Sequence, residues 1–509
     1  MKILTVFRFK RPLRIIITSM FAVAVLITVL LFCVQAESRE RDSGFHGNNE
    51  RLKSAYEIDW TLDTANRTLR AHQQVDYVNA ETVALHAIYF HLYPNYFASE
   101  NSAPFEESEM KNAYPKGFSS GKITLESVTE AGKKADYKLA GEMQGILCIR
   151  LSAPLQPGEH LSCAFDYSVT LPVCVGRFGG GEDTLQLCNA YPIAAVYDDE
   201  GWNLDPYHAI GDPFYSDVSD YTVRITCPSD YTVTGTGTRS KLVQGGSNTV
   251  YTFACPDVRD VAFVAGKGLK SLSKDVAGVK VTSWYYSGGE GGRIALDSAC
   301  NAVEVFSRMF GKYPYPELNV IESDLYYGGM EYPNAVLVTD RLYQAGKEDL
   351  LEYVTAHEVA HQWWYGVVGN DEIDQPWLDE SLTEYSTLLY YKEKYGQERF
   401  EKEYSQKIEL SLMLMGDTES ETKRVGLKTS EASDTLWYTL AVYKQGARMF
   451  YELNRKMGDH AFKSALKAYY KNMYLLNATQ DDLIFALNQE TGNDWSGFIN
   501  GYLTGQPQQ

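Results

Sequence analysis

The chain of 509 residues is longer than one ordinary domain, so we expect two or three domains. Hydrophobic residues make up 44% and aromatic residues 13% of it, which supports large buried cores and excludes a disordered protein. Residues 1–36 carry five of the 47 basic residues and none of the 66 acidic ones, so the remainder has a net charge of −24. Such an acidic surface argues against nucleic acid as a partner and favours solubility and cationic substrates.

The N-terminal residues have the features of an export signal. An apolar run from Ile15 to Cys33 follows a flank with basic residues and no acid, namely Lys2, Arg8, Lys10, Arg11 and Arg14. Val34-Gln35-Ala36 offers a small-residue cleavage site, but the run is also just long enough to span a bilayer. Residues 1–36 are therefore a signal peptide or a membrane anchor. We expect the body to be secreted after cleavage near Ala36, or held in the cell membrane through residues 15–33 and facing outside.

Period-two alternation predicts strands in the first half of the body. Residues 37–53 are polar and charged, as expected of a spacer. Apolar and polar residues then alternate over Tyr221–Cys227, a Pro-Ser-Asp turn follows, and shorter runs recur at 88–92, 146–149 and 249–253. The sequence therefore predicts an all-β N-terminal domain over residues 54–268, without concentrated catalytic chemistry.

The body contains seven cysteines, an odd number, so at least one thiol is free if the others pair. None has the spacing of a zinc knuckle. Cys174 and Cys188 flank a glycine-rich turn and form the first candidate disulfide. Buried free thiols are the alternative, and the sequence leaves both open.

The pattern changes to helical periodicity after residue 269. Apolar residues from Ile294 to Phe306 predict a helix, and Leu318–Ile321 predicts a strand. Gly328-Gly329-Met330-Glu331 then places paired glycines, where a backbone approaches something closely, before an acid. If this strand lies at a sheet edge, its free backbone groups can pair with an extended peptide and Glu331 would meet the first residue of that peptide. The alternative is a β-bulge with a surface glutamate.

His357-Glu358-Val359-Ala360-His361 is the motif around which the rest of the chain is arranged. The four-residue interval puts both imidazoles on one face of a helix, one turn apart, as two ligands of one metal require. Glu358 can face the metal-bound water without being a ligand. After a further eighteen residues, Glu380 lies on a second helix that we expect from near Pro376 to near Gly396. Two histidines and one glutamate leave a position open for water, which predicts one catalytic zinc ion.

Three sequence features together resemble the aminopeptidase N family of zinc exopeptidases, which are gluzincin metallopeptidases. They are HEVAHQWW, the eighteen residues between His361 and Glu380 of WLDES, and GGMEYP before the histidines. The resemblance implies that the all-β domain is followed by a thermolysin-like α+β zinc metallopeptidase domain over residues 269–509, with a largely helical C-terminal part. It implies that His357, His361 and Glu380 are the zinc ligands and that Glu358 is the general base.

The same resemblance implies roles for residues around the metal. The acid of the glycine-methionine motif, Glu331, would hold the free α-ammonium of the substrate, beside Gly328, Gly329 and Met330. Tyr443 would help to bind the developing oxyanion. Glu384, one turn after Glu380, is placed to orient a ligand histidine, although an ordinary solvated helix acid would look the same in sequence.

This chain also departs from the family pattern. GGMEY replaces the commoner GAMEN, which keeps the glutamate but changes the wall beside it. The chain ends at Gln509, where the resemblance places the end of the catalytic domain, so we expect a short form without the large helical C-terminal domain and with a more open cleft.

These features predict a zinc aminopeptidase that hydrolyses N-terminal residues from peptides by a metal-activated water. A fixed carboxylate at Glu331 favours a charged amine over a continuing chain. The alternatives are a zinc endopeptidase, a catalytically silent surface binding protein on the same scaffold, and hydrolysis of a non-peptide substrate such as an epoxide.

Overall fold

The computed structural model describes residues 52–181, 184–415 and 423–506. The predicted signal or anchor at 1–36, and all but the last two residues of the predicted spacer at 37–53, lie outside the described residues. No helix in the described ranges combines the length and the apolar character that crossing a membrane requires.

The first half of the chain contains an eight-stranded sheet, in which buried and more exposed residues alternate along several strands. Its order is Thr238–Gly245, Asn248–Val258, Ser219–Pro228, Ala55–Asp63, Thr68–Val78, His160–Thr170, Lys122–Glu130 and Lys133–Lys134. Ser219–Pro228 buries every second residue, as its sequence predicts. It pairs in parallel with Ala55–Asp63, and its other neighbour is antiparallel.

Three smaller sheets complete the β-rich part. One has the order Tyr231–Gly235, Phe263–Lys267, Thr184–Leu187 and Phe178–Gly179. A second has the order Ile193–Ala194, Leu85–His91, Ile146–Leu155 and Asp136–Ala140, and a hairpin joins Tyr197–Asp198 to Gly201–Trp202. The seven cysteines of the body are buried free thiols, and the candidate disulfide between Cys174 and Cys188 is not formed.

A five-stranded sheet opens the second half of the chain. Its order is Lys270–Val276, Val279–Tyr285, Glu317–Ser323, Ala335–Thr339 and Gly329–Met330. The three middle strands are parallel and both outer strands are antiparallel to their neighbours. Gly329–Met330, the edge strand, thus has a free side, which is the arrangement that the glycine-methionine motif requires for peptide pairing.

Helices make up most of the remaining chain. The α-helices are Met110–Ala113, Gly289–Met309, Glu348–Ala360, Glu380–Tyr395, Gln397–Tyr404, Leu410–Met415, Thr435–Tyr438, Gly446–Met457, Asp459–Asn472, Gln480–Thr491 and Ser496–Leu503. Two segments are π-helical, Ser405–Glu409 and Thr439–Gln445. This sheet-rich first part and helical second part confirm the predicted fold class. Residues from Leu52 onward form one unit, so the domain boundary at 268/269 stays a prediction.

Two helices position the predicted metal ligands. Glu348–Ala360, the histidine helix, packs on Gly289–Met309, on the edge strand and on Glu380–Tyr395, the glutamate helix. The glutamate helix begins at Glu380, because Pro376–Leu378 forms a separate 3-10 turn before it, and it ends at Gly396 with φ +88°. Buried Val359 and Leu382 contribute to the core at this junction.

A third helix packs closely against the glutamate helix at a glycine residue. Ser381 Oγ donates a hydrogen bond of 2.5 Å to the carbonyl oxygen of Val442, in the middle of the π-helical segment Thr439–Gln445. Gly446 begins the helix Gly446–Met457, and a methyl group at this position would overlap the side chain of Ser381. The close approach therefore depends on the missing side chain.

We predict that Gly446→Ala destabilises the fold by about 1–3 kcal/mol, the usual cost of overpacking a well-packed core. Gly497→Ala is the matched control, because Gly497 also lies on a helix and a methyl group there would meet nothing within 4 Å. The control should be neutral or slightly stabilising, since alanine has the higher helix propensity. Urea unfolding of both variants measures the difference, and equal midpoints would show that the junction tolerates the methyl group.

Candidate active site

The histidine helix presents two imidazoles side by side. Glu348 and Asp349 lie in its first turn, where acids favour the helix dipole, and His361 caps its C-terminus. The Nε2 atoms of His357 and His361 lie 3.2 Å apart. His361 is 1% exposed, so the pair is held by the core rather than by solvent-facing side chains.

Glu380 completes a triangle with the two rings. Its Oε2 lies 3.4 Å from His357 Nε2 and 3.3 Å from His361 Nε2. Ligand atoms about 2.0–2.2 Å from a tetrahedral zinc ion lie about 3.3–3.6 Å from each other. The three predicted ligands therefore fit one zinc ion, and their N2O donor set leaves one position of the tetrahedron for solvent or substrate.

His361 has an acidic partner that sequence reasoning missed. Its Nδ1 hydrogen bonds with the carboxylate of Asp379 and lies 3.1 Å from the carbonyl oxygen of Trp364. Asp379 is 1% exposed. A carboxylate on the far nitrogen holds the ring in the tautomer that offers Nε2 to a metal. The signal was present in the sequence, since Asp379 directly precedes the predicted ligand Glu380.

His357 has a different partner. Glu384 Oε2 lies 3.2 Å from His357 Nδ1, and Lys444 forms an ion pair with the other oxygen of Glu384. Burial alone would raise the pKa of Glu384, but Lys444 and His357 together hold that pKa below its ordinary value. Glu384 thus lies buried beside the ring of His357, and its role in orienting that ring stays a prediction. Lys444 was missed, because it lies 60 residues away in sequence.

Glu358 projects from the histidine helix toward the edge strand. Burial raises the pKa of its carboxyl group to about 7, while the two neighbouring histidines oppose that shift. A carboxylate with a pKa near neutrality suits a general base. A Cβ atom at Gly329 would lie 2.7 Å from Cγ of Glu358 and would overlap its carboxylate. The close approach predicted for the paired glycines is therefore an approach to Glu358.

Glu331 follows the edge strand and is also buried, at 3% exposure. One of its oxygens, one of Glu358 and a nitrogen of His361 all lie within 4.8 Å of one another. Burial raises the pKa of Glu331 well above its ordinary value, and Asp212 adds to this shift. Met330 is buried in the edge strand opposite Leu337. A Cβ atom added at Gly328 would lie 3.8 Å from the methyl groups of Val354, which belongs to the histidine helix.

Gln362 joins the Glu331 loop to the histidine helix. Its amide nitrogen donates to the carbonyl oxygens of Glu331 at 2.9 Å and Tyr332 at 3.2 Å. Its amide oxygen accepts from the backbone N–H of Asn334 at 2.9 Å. These bonds set the position of Glu331 relative to the metal ligands. Gln362 directly follows His361, yet only the tertiary structure shows which loop it contacts.

Tyr443 reaches the metal ligands from the π-helical segment Thr439–Gln445. Its hydroxyl donates a hydrogen bond to Oε1 of Glu380, and its ring stacks on His357 with centroids 6.1 Å apart. π-helical turns are rare and frequently lie at functional sites. The structure thus brings together every predicted site residue.

Part of the chain is similar to a known protein family. The sequence model of the peptidase family M1 domain matches residues 294–502. The match covers 209 of the 509 residues, so the second half of the chain is similar to an M1 peptidase domain. This confirms the resemblance to the aminopeptidase N family that the three motifs indicated.

Relatives in the M1 family are similar over part of their length. Aminopeptidase N of Lactococcus lactis subsp. lactis is 30% identical over 222 residues, which cover 41% of this chain and 26% of that protein. Aminopeptidase M1-B of Oryza sativa subsp. japonica is 26% identical over 264 residues, which cover 50% of this chain and 30% of that protein. The chain thus matches less than a third of the length of these curated relatives.

Solved structures share the fold over most of both chains. A mutant of an M1 zinc metallopeptidase from Deinococcus radiodurans, bound to a Tyr-Ser-Ala substrate, has a TM-score of 0.64 at 16% identity. The match covers 90% of this chain and 95% of that one. A two-domain M1 zinc metallopeptidase mutant bound to L-arginine has a TM-score of 0.63 at 16% identity. That match covers 89% of this chain and 94% of the other.

We predict that Asp379→Asn weakens zinc binding about 10- to 100-fold, the usual cost of altering a partner of a ligand histidine. The asparagine keeps an oxygen for the His361 hydrogen bond but removes the negative charge. Asp374→Asn is the matched control, since Asp374 is on the same segment and pairs with Lys428 at 2.6 Å, outside the site. Competition with a chromogenic zinc chelator measures both affinities, and an unchanged affinity in Asp379→Asn would refute the role.

Proposed function

We propose that the protein is a zinc aminopeptidase that removes residues from the N-termini of peptides. One observation carries this proposal. The triangle formed by His357, His361 and Glu380 has edges of 3.2–3.4 Å, and both Glu358 and Glu331 lie beside it. A metal site, a base and a buried anion for a substrate amine are what removal of an N-terminal residue requires.

The mechanism follows from the positions of the side chains. His357, His361 and Glu380 would hold a zinc ion, which would supply Lewis-acid activation of the scissile carbonyl and of the attacking water. Glu358 accepts a proton from the attacking water and passes it to the leaving amine. The Tyr443 hydroxyl, which lies beside the ligand Glu380, donates a hydrogen bond to the developing oxyanion.

Glu331 is the reason to propose an exopeptidase. A buried carboxylate on the substrate side stabilises an α-ammonium and disfavours a neutral peptide chain that continues past this point. The edge strand beside it offers backbone groups to the extended substrate. The related M1 metallopeptidase of Deinococcus radiodurans was crystallised with Tyr-Ser-Ala, and we propose that short peptides with a free N-terminus are substrates here as well.

We also propose that the enzyme acts outside the cytoplasm. The basic flank and the apolar run at Ile15–Cys33 support export, followed by cleavage near Ala36 or by anchoring in the membrane. Expression with a C-terminal tag, cell fractionation and N-terminal sequencing of the product distinguish the two outcomes.

We predict that Glu358→Gln lowers kcat at least 100-fold, because the amide cannot accept the proton of the attacking water. Zinc content should stay at one ion per chain, since Glu358 is not a ligand in this assignment. The measurement is hydrolysis of a panel of amino-acid arylamides, with metal analysis of both proteins. Wild-type protein that holds no zinc and hydrolyses no arylamide would favour a binding protein on the peptidase scaffold.

We predict that Glu331→Ala lowers kcat/KM for peptides with a free N-terminus about 10- to 100-fold, because a charge-assisted hydrogen bond to the ammonium is lost. N-acetylated peptides should be poor substrates of the wild type and should change little in the variant. Mass spectrometry of the products reports both rates. Equal cleavage of free and N-acetylated peptides by the wild type would indicate an endopeptidase instead.

A further inference from the structure

Arg259 is a buried arginine without a role in the mechanism above. It follows the strand Asn248–Val258 of the β-rich part, and only 2% of it is exposed. It makes five hydrogen bonds, one from Nε and two from each terminal nitrogen, which equals the number of N–H donors of a guanidinium. The acceptors are the carbonyl oxygens of Ser216, Tyr365, Val367 and Leu476, together with Oδ1 of Asn477. Four of the five are backbone carbonyls, so the guanidinium fixes main chain from several segments.

Two of these hydrogen bonds go to the turn that directly follows the histidine helix. Nε of Arg259 donates to the carbonyl oxygen of Tyr365 at 2.6 Å, and a terminal nitrogen donates to that of Val367 at 3.3 Å. The turn is closed onto the end of the helix, because the N–H of Gly366 donates to the carbonyl oxygen of His361 at 2.9 Å. Arg259 therefore holds the backbone just beyond a predicted metal ligand.

Tyr365 is also held by the residue that follows Arg259. Its hydroxyl donates to Oδ2 of Asp260 at 3.0 Å, and the same oxygen accepts from the amide of Asn189 at 3.2 Å. The φ angle of Tyr365 is +125°, which residues other than glycine rarely adopt. Such a conformation persists only where the surrounding structure fixes it. Two consecutive residues of the β-rich part thus hold the main chain and the side chain of one strained tyrosine.

The backbone of Tyr365 is linked to the ring of His361 through one peptide group. The carbonyl oxygen of Trp364 lies 3.1 Å from Nδ1 of His361. A carbonyl oxygen can only accept, so this contact favours a proton on Nδ1 and leaves Nε2 free for a metal. Because the peptide group is planar, the φ angle of Tyr365 sets the direction in which the carbonyl of Trp364 points relative to Tyr365. A change at Tyr365 would therefore move a contact of the ligand ring.

The binding place of the guanidinium is closed by a glycine. A Cβ atom added at Gly369 would lie 2.1 Å from Cζ of Arg259, so only glycine fits there. The N–H of Gly369 donates to the carbonyl oxygen of Leu476 at 3.0 Å, and its own carbonyl oxygen accepts from Ala478 at 2.6 Å. The loop that supplies two of the acceptors of Arg259 is thus bound to the segment that follows the turn.

We propose that Arg259 is a positioning residue for the metal ligand His361, which it holds in place through the backbone of Tyr365. Asp260 contributes by holding the side chain of the same tyrosine. This inference rests on the zinc site of the proposed function and adds to it, because it assigns the orientation of one ligand to an arginine of the β-rich part. In the alternative, Arg259 stabilises the fold and has no effect on the geometry of the bound metal.

The test replaces zinc by cobalt(II), whose visible absorption bands report the coordination geometry without turnover. Arg259→Lys keeps the charge but offers three donors from a single nitrogen, so it cannot reach acceptors on every side of a guanidinium. We expect this variant to change the position and intensity of the cobalt bands. Zinc affinity should fall about tenfold, the lower end of what altered partners of ligand histidines cost. For amino-acid arylamides, kcat should fall while KM stays unchanged, because no group on the substrate side is altered.

Arg67→Lys is the matched control, because Arg67 also binds backbone carbonyl oxygens but none in the turn after the histidine helix. Its four hydrogen bonds go to Leu171, Pro172, Gly180 and Gly181. Both variants should unfold at a lower temperature than the wild type, but Arg67→Lys should keep the cobalt spectrum and the zinc affinity of the wild type. A less stable Arg259→Lys protein with an unchanged spectrum and unchanged zinc affinity would establish the structural alternative and overturn the proposal.

A milder variant decides the matter if Arg259→Lys does not fold. Tyr365→Phe removes only the hydroxyl that donates to Asp260, so its cobalt bands should shift in the same way but less. A wild-type spectrum in Tyr365→Phe would then refute the proposal.

Failure of the proposed function gives a different result. Wild-type protein that binds neither zinc nor cobalt would refute the metal site, and the positioning role with it. Wild-type protein that binds both metals, with variants whose spectra are unaltered, would refute the positioning role alone.

Discussion

The site depends on the distances between three atoms carried by two helices. Two imidazole nitrogens and one carboxylate oxygen lie 3.2–3.4 Å apart because the histidine helix packs against the glutamate helix. A displacement of about 1 Å would take one donor out of a zinc coordination shell, whose bond lengths vary by only about 0.2 Å. The junction must therefore be rigid, and the buried side chains of Val359 and Leu382 show that it is part of the core.

Burial that fixes these atoms also removes water, so each ligand needs partners inside the protein. His361 has Asp379, whereas His357 has Glu384, which in turn pairs with Lys444. The two rings are thus oriented by different means, although they belong to one motif. An isolated buried charge costs several kcal/mol, which explains why Lys444 accompanies the buried Glu384.

The substrate side of the metal is arranged in the opposite way. Glu331, Glu358 and Glu372 are buried close together, and burial is the main cause of the raised pKa of each carboxyl group. Such a cluster lowers the stability of the fold and is kept where function needs it. Under the proposed function, zinc and a substrate ammonium would supply positive charge beside these carboxylates. The excess of acids would thus be the electrostatic basis for binding both groups.

Much of this molecule could be predicted from local patterns. Alternation with period two identified the strand around Val223, and the interval between His357 and His361 identified two ligands on one helix face, because both patterns arise from backbone geometry within a few residues. The proposed roles of Glu380 as third ligand and of Glu331 as amine-binding acid came from the family resemblance and from motif spacing. The start of the glutamate helix was placed too early, since Pro376 opens a separate 3-10 turn.

The sequence by itself determined the donor atoms of the candidate metal site, because two short motifs, HEVAH and WLDES, contain His357, His361 and Glu380. Only the tertiary structure decided what surrounds them. Asp212 acts on the pKa of Glu331, and Lys444 pairs with Glu384, although each comes from a distant segment. These effects depend on distances of a few ångströms between side chains that no local period describes. Electrostatic effects act through space, so the partners of a buried charge become visible only when the chain is folded.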